Sequence, residues 1–247
     1  KNKNSFFTAD FNIVDGYKSK NSDKKNTIGH LFSKYDSDLN FENFVESSLN
    51  ISVQRVNNDT YLKVFNSNIV DTDLKPDNFD TLTSKIELNL EHEKFVLDTG
   101  FTAYEDLSKS NSDRYQYILP YYNFSKNLFN DSQFGSFNFL SQGDNILKDT
   151  NNLRSRMINN LNIQSYDFIT NSGFKNNFNY YFKNLISSGK DNFEYGSKAE
   201  IKFENIFDFQ SSFPLVKIDK NFINVINPKL SLRINPSEMK NYTSENK

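Results

Sequence analysis

The sequence has no cysteine and no tryptophan. Without cysteine these residues form no disulfide, no thiolate metal site and no cysteine nucleophile. Histidine occurs twice, at His30 and His92. Neither stands in a metal-ligand spacing, and a turn or loop histidine is ordinarily solvated. The 8 glycines build no phosphate-cradling loop and no G-x-S-x-G elbow. Adjacent acids occur at Glu91 with Glu93 and at Glu105 with Asp106, as is common at loops, and they do not make a glycosidase pair. The expectation is a non-enzymatic protein without a cofactor or metal. Neither sign of charge dominates. The net charge is -2 and the pI about 5.8, which leaves no basic excess for nucleic acid and no acidic tail. No run approaches the roughly 20 apolar residues of a membrane helix. Lys1-Asn2-Lys3-Asn4 passes straight into strand-like sequence, with no signal peptide. With no initial Met and a polar end at Tyr242 to Lys247, the chain reads as part of a longer protein. The sequon Asn241-Tyr242-Thr243 is a chance match in an Asn-rich chain.

Aromatic side chains are plentiful: 25 Phe and 13 Tyr in 247 residues, 15% with a mean hydropathy of -0.70. Disordered chains are poor in aromatics. A polar average with many rings suits a sheet whose two faces differ. Ser84 to Glu91 displays that pattern most clearly. Ile86, Leu88 and Leu90 fall on one face of an extended chain, and Lys85, Glu87, Asn89 and Glu91 on the other. The chain turns at His92-Glu93-Lys94 and returns from Phe95 to Tyr104, with Phe95, Leu97, Phe101 and Ala103 on one face. These two runs make an antiparallel hairpin. Each has roughly ten residues, enough for a tilted strand to cross a bilayer.

The pattern recurs along the chain. Phe6 to Val14, Ile28 to Leu39 and Phe44 to Val56 read as strands, followed by a short turn at Asn57-Asn58-Asp59 and a loop from Thr72 to Asp80. Lys109 to Asp113 reads as loop and Arg114 to Ser125 as strand, where Pro120 implies an edge, a bulge or a strained pairing. After a turn at Asn130-Asp131-Ser132, Phe134 to Leu140 is strand and Gln142 to Asn152 polar loop. Leu153 to Ile169 is the best helical rival, but its asparagines make a poor helix. Phe174 to Phe182 alternates well, and Ser187-Ser188-Gly189 opens another loop. Lys198 to Phe203 and Ile226 to Ile234 are the last strands. The expected fold is all-β, about ten to twelve antiparallel strands with no convincing helix, in a single domain spanning 1–247. One difficulty is orientation. The turns at His92-Glu93 and Asn57-Asp59 should share a side, which requires a missed or split strand between Tyr61 and Asp80.

A soluble sandwich packs its apolar face on a second sheet. A membrane barrel turns that face to lipid and its polar face to a lumen. Long strands, charges such as Lys85, Glu87, Lys198, Glu200 and Lys202 on the polar face, and aromatics near strand ends favour the barrel. Tyr104, Tyr121-Tyr122-Phe124 and Phe207-Phe209 would form its interfacial girdles.

Three segments resemble the barrel domain of the lipopolysaccharide-assembly family LptD. Val56 to Phe65 is similar to a D-D-T-Y-L-R-D-F-like stretch, with Asn58 in place of an acid and Val64 in place of the second Asp. Tyr117 to Phe124 resembles the L-P-x-hydrophobic strand that follows it. Ile226 to Leu232 resembles a later P-x-hydrophobic strand. The resemblance implies part of an antiparallel transmembrane β-barrel in the bacterial outer membrane. Its partners would be lipopolysaccharide, outer-membrane lipid, an LptE-like lipoprotein plug, and a periplasmic Lpt bridge reached through an N-terminal jellyroll not included here. It implies that the lipid head passes along the polar lumen and leaves laterally between the first and last strands. On that reading Lys85, Lys175, Lys183, Lys198, Lys202, Lys229 and Arg233 are candidate lumen residues able to meet phosphates. The plainer reading is that these cations are solvated or paired with Glu87, Glu91, Glu200 and Glu204. The alternatives are another outer-membrane barrel, porin or receptor, and a soluble secreted β-rich binding module.

Overall fold

The computed structural model describes residues 4–18, 20, 23–66, 69, 72–131, 134–220 and 222–237. The sequon at Asn241-Tyr242-Thr243, the first three residues and Ser132 of the expected turn lie outside them. The protein is all-β, with one antiparallel sheet of 12 strands. The strands are β1 (Ser5–Lys18), β2 (Lys25–Asp38), β3 (Glu46–Val56), β4 (Thr81–His92), β5 (Phe95–Asp106), β6 (Tyr115–Asp131), β7 (Gly135–Lys148), β8 (Asn152–Ser165), β9 (Phe168–Ile169), β10 (Lys175–Lys190), β11 (Glu200–Ser212) and β14 (Lys229–Ile234). A separate pair, β12 (Leu215–Ile218) with β13 (Ile223–Ile226), stands between the last two. The path runs in chain order from β1 to β14, with β9 as a side branch on β10, and β1 and β14 are not joined. Contacts divide the chain into two compact units, Lys1–Asn123 with Gly143–Ser155 and Ser188–Lys198, and Phe124–Gln142 with Arg156–Ser187 and Ala199–Lys247.

In the first unit the registers align residues into rows across the strands. Phe7, Tyr35, Ile51, Ile86 and Phe101 make one row. The next row is Thr8, Lys34, Ser52, Lys85 and Thr102. Successive rows face opposite sides of a pleated sheet, so apolar and polar side chains segregate by face. The apolar row is uncovered: Ile86 is 45% and Phe101 47% exposed, and Leu88 and Leu90 are half-buried. In the second unit Phe178, Phe209 and Leu232 make an apolar row and Asn179, Asp208 and Arg233 the adjacent polar one. Leu232 and Ile234 are exposed there too.

Several expectations need correction. Gln142 to Lys148 is the second half of β7, not loop, and Ser187 to Gly189 is still β10. By contrast Leu153 to Ile163, which alternates less cleanly, is strand as expected, within β8. Pro120 lies in β6, which has β5 and β7 on its two sides, so it is not at an edge. Tyr121, Tyr122 and Phe124 are mid-strand in β6, and Phe207 and Phe209 pair within the β11–β14 ladder. Of the expected girdle, Tyr104 is near its strand end. The sequence reading placed rings at ends because it cut these strands too short.

The orientation difficulty also resolves. Asn57 to Asp59 is not a short turn but the start of one connection over residues 57–80, with no strand among its described residues. It contains a helix, α1 (Tyr61–Phe65), where none was expected. β3 ends because Asn57 occupies the β2 backbone with its side chain: the Gly29 N–H donates to Asn57 Oδ1 at 2.8 Å, and Asn57 Nδ2 donates to Thr27 O at 3.2 Å. Asn58 Oδ1 then accepts from the Thr60 N–H and hydroxyl at 3.0 and 2.7 Å, a side-chain turn that starts the helix. Gln54 meanwhile bridges the strand ends, accepting from the Thr83 N–H at 2.9 Å and donating to Leu74 O at 3.2 Å.

This connection makes the principal core. Tyr61 and Leu62 are fully buried and pack with Ile28, Phe32, Val56, Leu74, Leu82 and Leu107. Burying a side chain of this size stabilises by about 1.5–3 kcal/mol. Leu62→Ala, which adds a cavity to the lost burial, is expected to cost about 2–5 kcal/mol. It should sharply increase protease nicking within residues 57–80, and an unchanged cleavage rate would contradict this core.

Candidate functional site

The sheet's polar face in the first unit carries two sets of linked groups. The first is at the buried end. His30 stacks on Phe32 with centroids 4.3 Å apart, its Nδ1 lies 2.9 Å from the Tyr61 hydroxyl, and its Nε2 lies 3.3 Å from Asp10 Oδ1. With its proton on Nε2, toward the Asp10 carboxylate, the ring leaves Nδ1 to accept from the Tyr61 hydroxyl. Burial, with Asp10 as a second cause, raises the Tyr61 hydroxyl above its usual range, which keeps it a donor. His30 is therefore not a solvated loop residue. It keys the connection 57–80 to β1 and β2.

The second set is farther along β4. Lys85 Nζ lies 2.7 Å from Glu87, and the Tyr121 hydroxyl donates to Glu87 at 3.0 Å. Gly100 faces Glu87 across β4–β5, and it is glycine for a steric reason. A Cβ there would stand 2.8 Å from the Tyr121 hydroxyl and 2.3 Å from Ile86 O. The absent side chain leaves the space through which Tyr121 reaches the acid. Lys85 is thus already paired, as the plainer reading had it.

The connections beyond the buried end are tied by charge. Arg114 sits in a short 3-10 turn (Ser112–Arg114) and contacts both Asp59 and Glu105 at 2.8 Å. Arg55 Nη1 reaches Glu105 at 3.1 Å, and the Tyr115 hydroxyl reaches it at 3.2 Å. Hydrogen bonding to Asp59 and the charges of Asp59 and Glu105 raise the Arg114 guanidinium above its usual value. Glu105 is therefore a charge partner and not half of an acid/base pair with Asp106. Beside this cluster, Arg114, Tyr104, Tyr115, Lys109 and Lys148 line an open cleft of about 500 Å³.

In the second unit the structure brings five of the candidate cations onto one face. Lys175 and Lys229 both border Ser212 in register, Arg233 faces Asp208, Lys183 faces Glu204, and Lys202 faces Leu185. Lys175 is taken by Asp167 at 2.8 Å, and Arg233 reaches Asp208 at 3.4 Å. Hydrogen bonds from Asn177 and then Lys175 hold Asp167 below the usual carboxylate range. Lys198 is the exception. It lies in the connection before β11 rather than in the strand, because β11 begins at Glu200.

The arrangement therefore offers a polar strip of alternating cations, acids and amides. Sequence reasoning found the alternation and the cations. It missed His30, Tyr61, Asp10 and the Arg55–Glu105–Arg114 group, whose members lie far apart in the chain. The one local signal was Ile28, His30 and Phe32 on a shared face of β2.

The Gly100 site gives a graded test. Gly100→Ala should cost about 1–3 kcal/mol by overpacking. Tyr121→Phe should cost about 1–2 kcal/mol through the lost bond to a charged acceptor. Tyr121→Phe also removes the hydroxyl that the new methyl group of Gly100→Ala would strike. The two changes together should therefore cost less than their sum in denaturant unfolding; simple additivity would separate the two residues.

Compared with known proteins, the chain matches no family model and no curated sequence.

Proposed function

We propose that this chain is part of the wall of an outer-membrane β-barrel of the LptD type, which delivers lipopolysaccharide to the outer leaflet. The observation that carries the reading is the uncovered apolar rows: Ile86 with Phe101 in one unit, Phe178 with Leu232 in the other. A soluble sandwich would bury such rows under a second sheet. Exposed apolar surface of this extent needs an apolar medium or partner. The strands suit the same medium, since β6 has 17 residues and β10 has 16, more than enough to cross it.

The polar face supports the choice of cargo. A sugar-phosphate head would move along Lys183, Lys202, Lys229 and Arg233 and the amides between them, while acyl tails stay in lipid. The three family-like segments lend support of another kind. The first contains Tyr61 and Leu62, the pair that anchors the core, and the second lies within β6. The LptE-like plug, the periplasmic bridge and lateral exit belong to this reading as proposals.

Two faces give the test. Ile86→Arg places a charge on the lipid side and should cost about 2–4 kcal/mol near the membrane midplane. The protein should then be lost from the outer-membrane fraction. Asn89→Arg, on the opposite face of the same strand, should leave the amount unchanged. A photo-crosslinker at Lys183 should capture lipopolysaccharide during export. Equal tolerance at positions 86 and 89 would overturn the barrel reading, and no lipopolysaccharide adduct at 183 would overturn the cargo.

A further inference from the structure

β11–β14 and β12–β13 keep one register. Phe207 faces Ile234 and Ser212 faces Lys229, and beyond the break Leu215 faces Ile226 and Ile218 faces Ile223. The offset between partners is the same on both sides, so these four strands are one hairpin. The interruption falls at Pro214 and Pro228. The Phe213 N–H still donates to Pro228 O at 3.1 Å, but the prolines have no N–H to give. The sheet stops beside this point. β10 reaches Ser212 through Lys175, and Phe174 packs on Phe213 with ring centroids 4.7 Å apart. From Leu215 to Ile226 no third strand accompanies the hairpin among the described residues.

The side-chain pattern changes at the prolines as well. Along β11 and β14 the two faces differ. Past the prolines one face holds Val216, Ile218, Ile223 and Val225, and the other holds Leu215 and Ile226 with Lys217 and Asn224 between them. The six apolar residues are between 47% and 77% exposed. A lone two-stranded hairpin has little stability in water. A protein docked on one face would leave the other wet, whereas an enveloping medium treats both alike. Charge narrows the choice of medium. Between Pro214 and Pro228 the sequence holds Lys217 and Lys220 against one acid, Asp219. Lysine stems lie along apolar surface and carry their ammonium groups to phosphate. The hairpin's unpaired edges also find water and phosphate oxygens at a headgroup layer, which the hydrocarbon core would deny them.

We propose that the β12–β13 hairpin is an interfacial tip, immersed in the headgroup layer of an anionic membrane and jointed to the sheet at Pro214 and Pro228. The proposal rests on the membrane reading and adds a lipid-binding element to it.

The absence of tryptophan makes the test direct, because a substituted one is the sole reporter. Phe101→Trp reports on the wall and Phe222→Trp on the tip, with Ile223→Trp as a second tip position. The full chain is reconstituted in vesicles containing brominated phosphatidylglycerol, or brominated phosphatidylcholine alone. Both wall and tip reporters should lose most of their emission in the anionic vesicles. Replacing Lys217 or Lys220 by Gln should weaken tip partitioning about fivefold per lysine, with the wall reporter unaffected. A quenched wall with an unquenched tip overturns this proposal and leaves the barrel reading standing. No quenching at either place overturns both. Tip quenching that ignores lipid charge and the lysines overturns the anionic headgroup assignment.

Discussion

Each long strand of this protein must satisfy two surroundings at once. From β2 to β11 the backbone of each long strand is paired on both sides, so only side chains can differ, and they differ by row. Phe7, Tyr35, Ile51, Ile86 and Phe101 share a surface that no other layer of the protein covers. The adjacent row through Lys34, Ser52 and Lys85 turns the other way. Because the side-chain period is two, a slip of one residue at any pairing would exchange the two surfaces. The segregation of apolar and polar rows therefore goes with one register from strand to strand.

One end of the first unit departs from this scheme. There Ile28, His30 and Phe32 follow each other on a single face of β2 and are covered by the connection 57–80. The polar face becomes dry over that short distance, which is why its one histidine has both ring nitrogens facing partners. Asn57 and Gln54 complete the departure by replacing ladder bonds with side-chain bonds. Beyond it, Asp59, Arg114, Glu105 and Arg55 tie the connections together by charge. Packing, amide bonding and ion pairing thus succeed one another outward from the end of the sheet.

Much of the sheet was legible in the sequence. The hairpin of Ile86 and Phe101 and the alternations of β10 and β14 are local, so reading them needs only neighbouring residues. What failed was local too, but masked. Gln142 to Lys148 holds Gly143, Asp144 and Asn145, residues that favour turns, yet neighbouring strands keep it extended. The helix at Tyr61 was hidden because five residues carry no periodic signal, and its formation depends on Asn58 and on a pocket built by distant strands. The cations were found by type, with Glu87, Glu91, Glu200 and Glu204 offered as acids for all of them together; the fold decides which acid each meets, Lys85 with Glu87, Arg233 with Asp208 and Lys175 with Asp167. Asp208 and Arg233 stand 25 residues apart, beyond any local window.

The strand order has a consequence for how the molecule is made. Every long strand after the first lies beside its predecessor in the chain. Most such pairs close over short loops, the connection 57–80 being the long exception, so the entropy cost of most steps is small. The sheet can grow from one margin as the polypeptide arrives, with each new hairpin templated on the last. An emerging chain then presents one growing edge, the strand formed last.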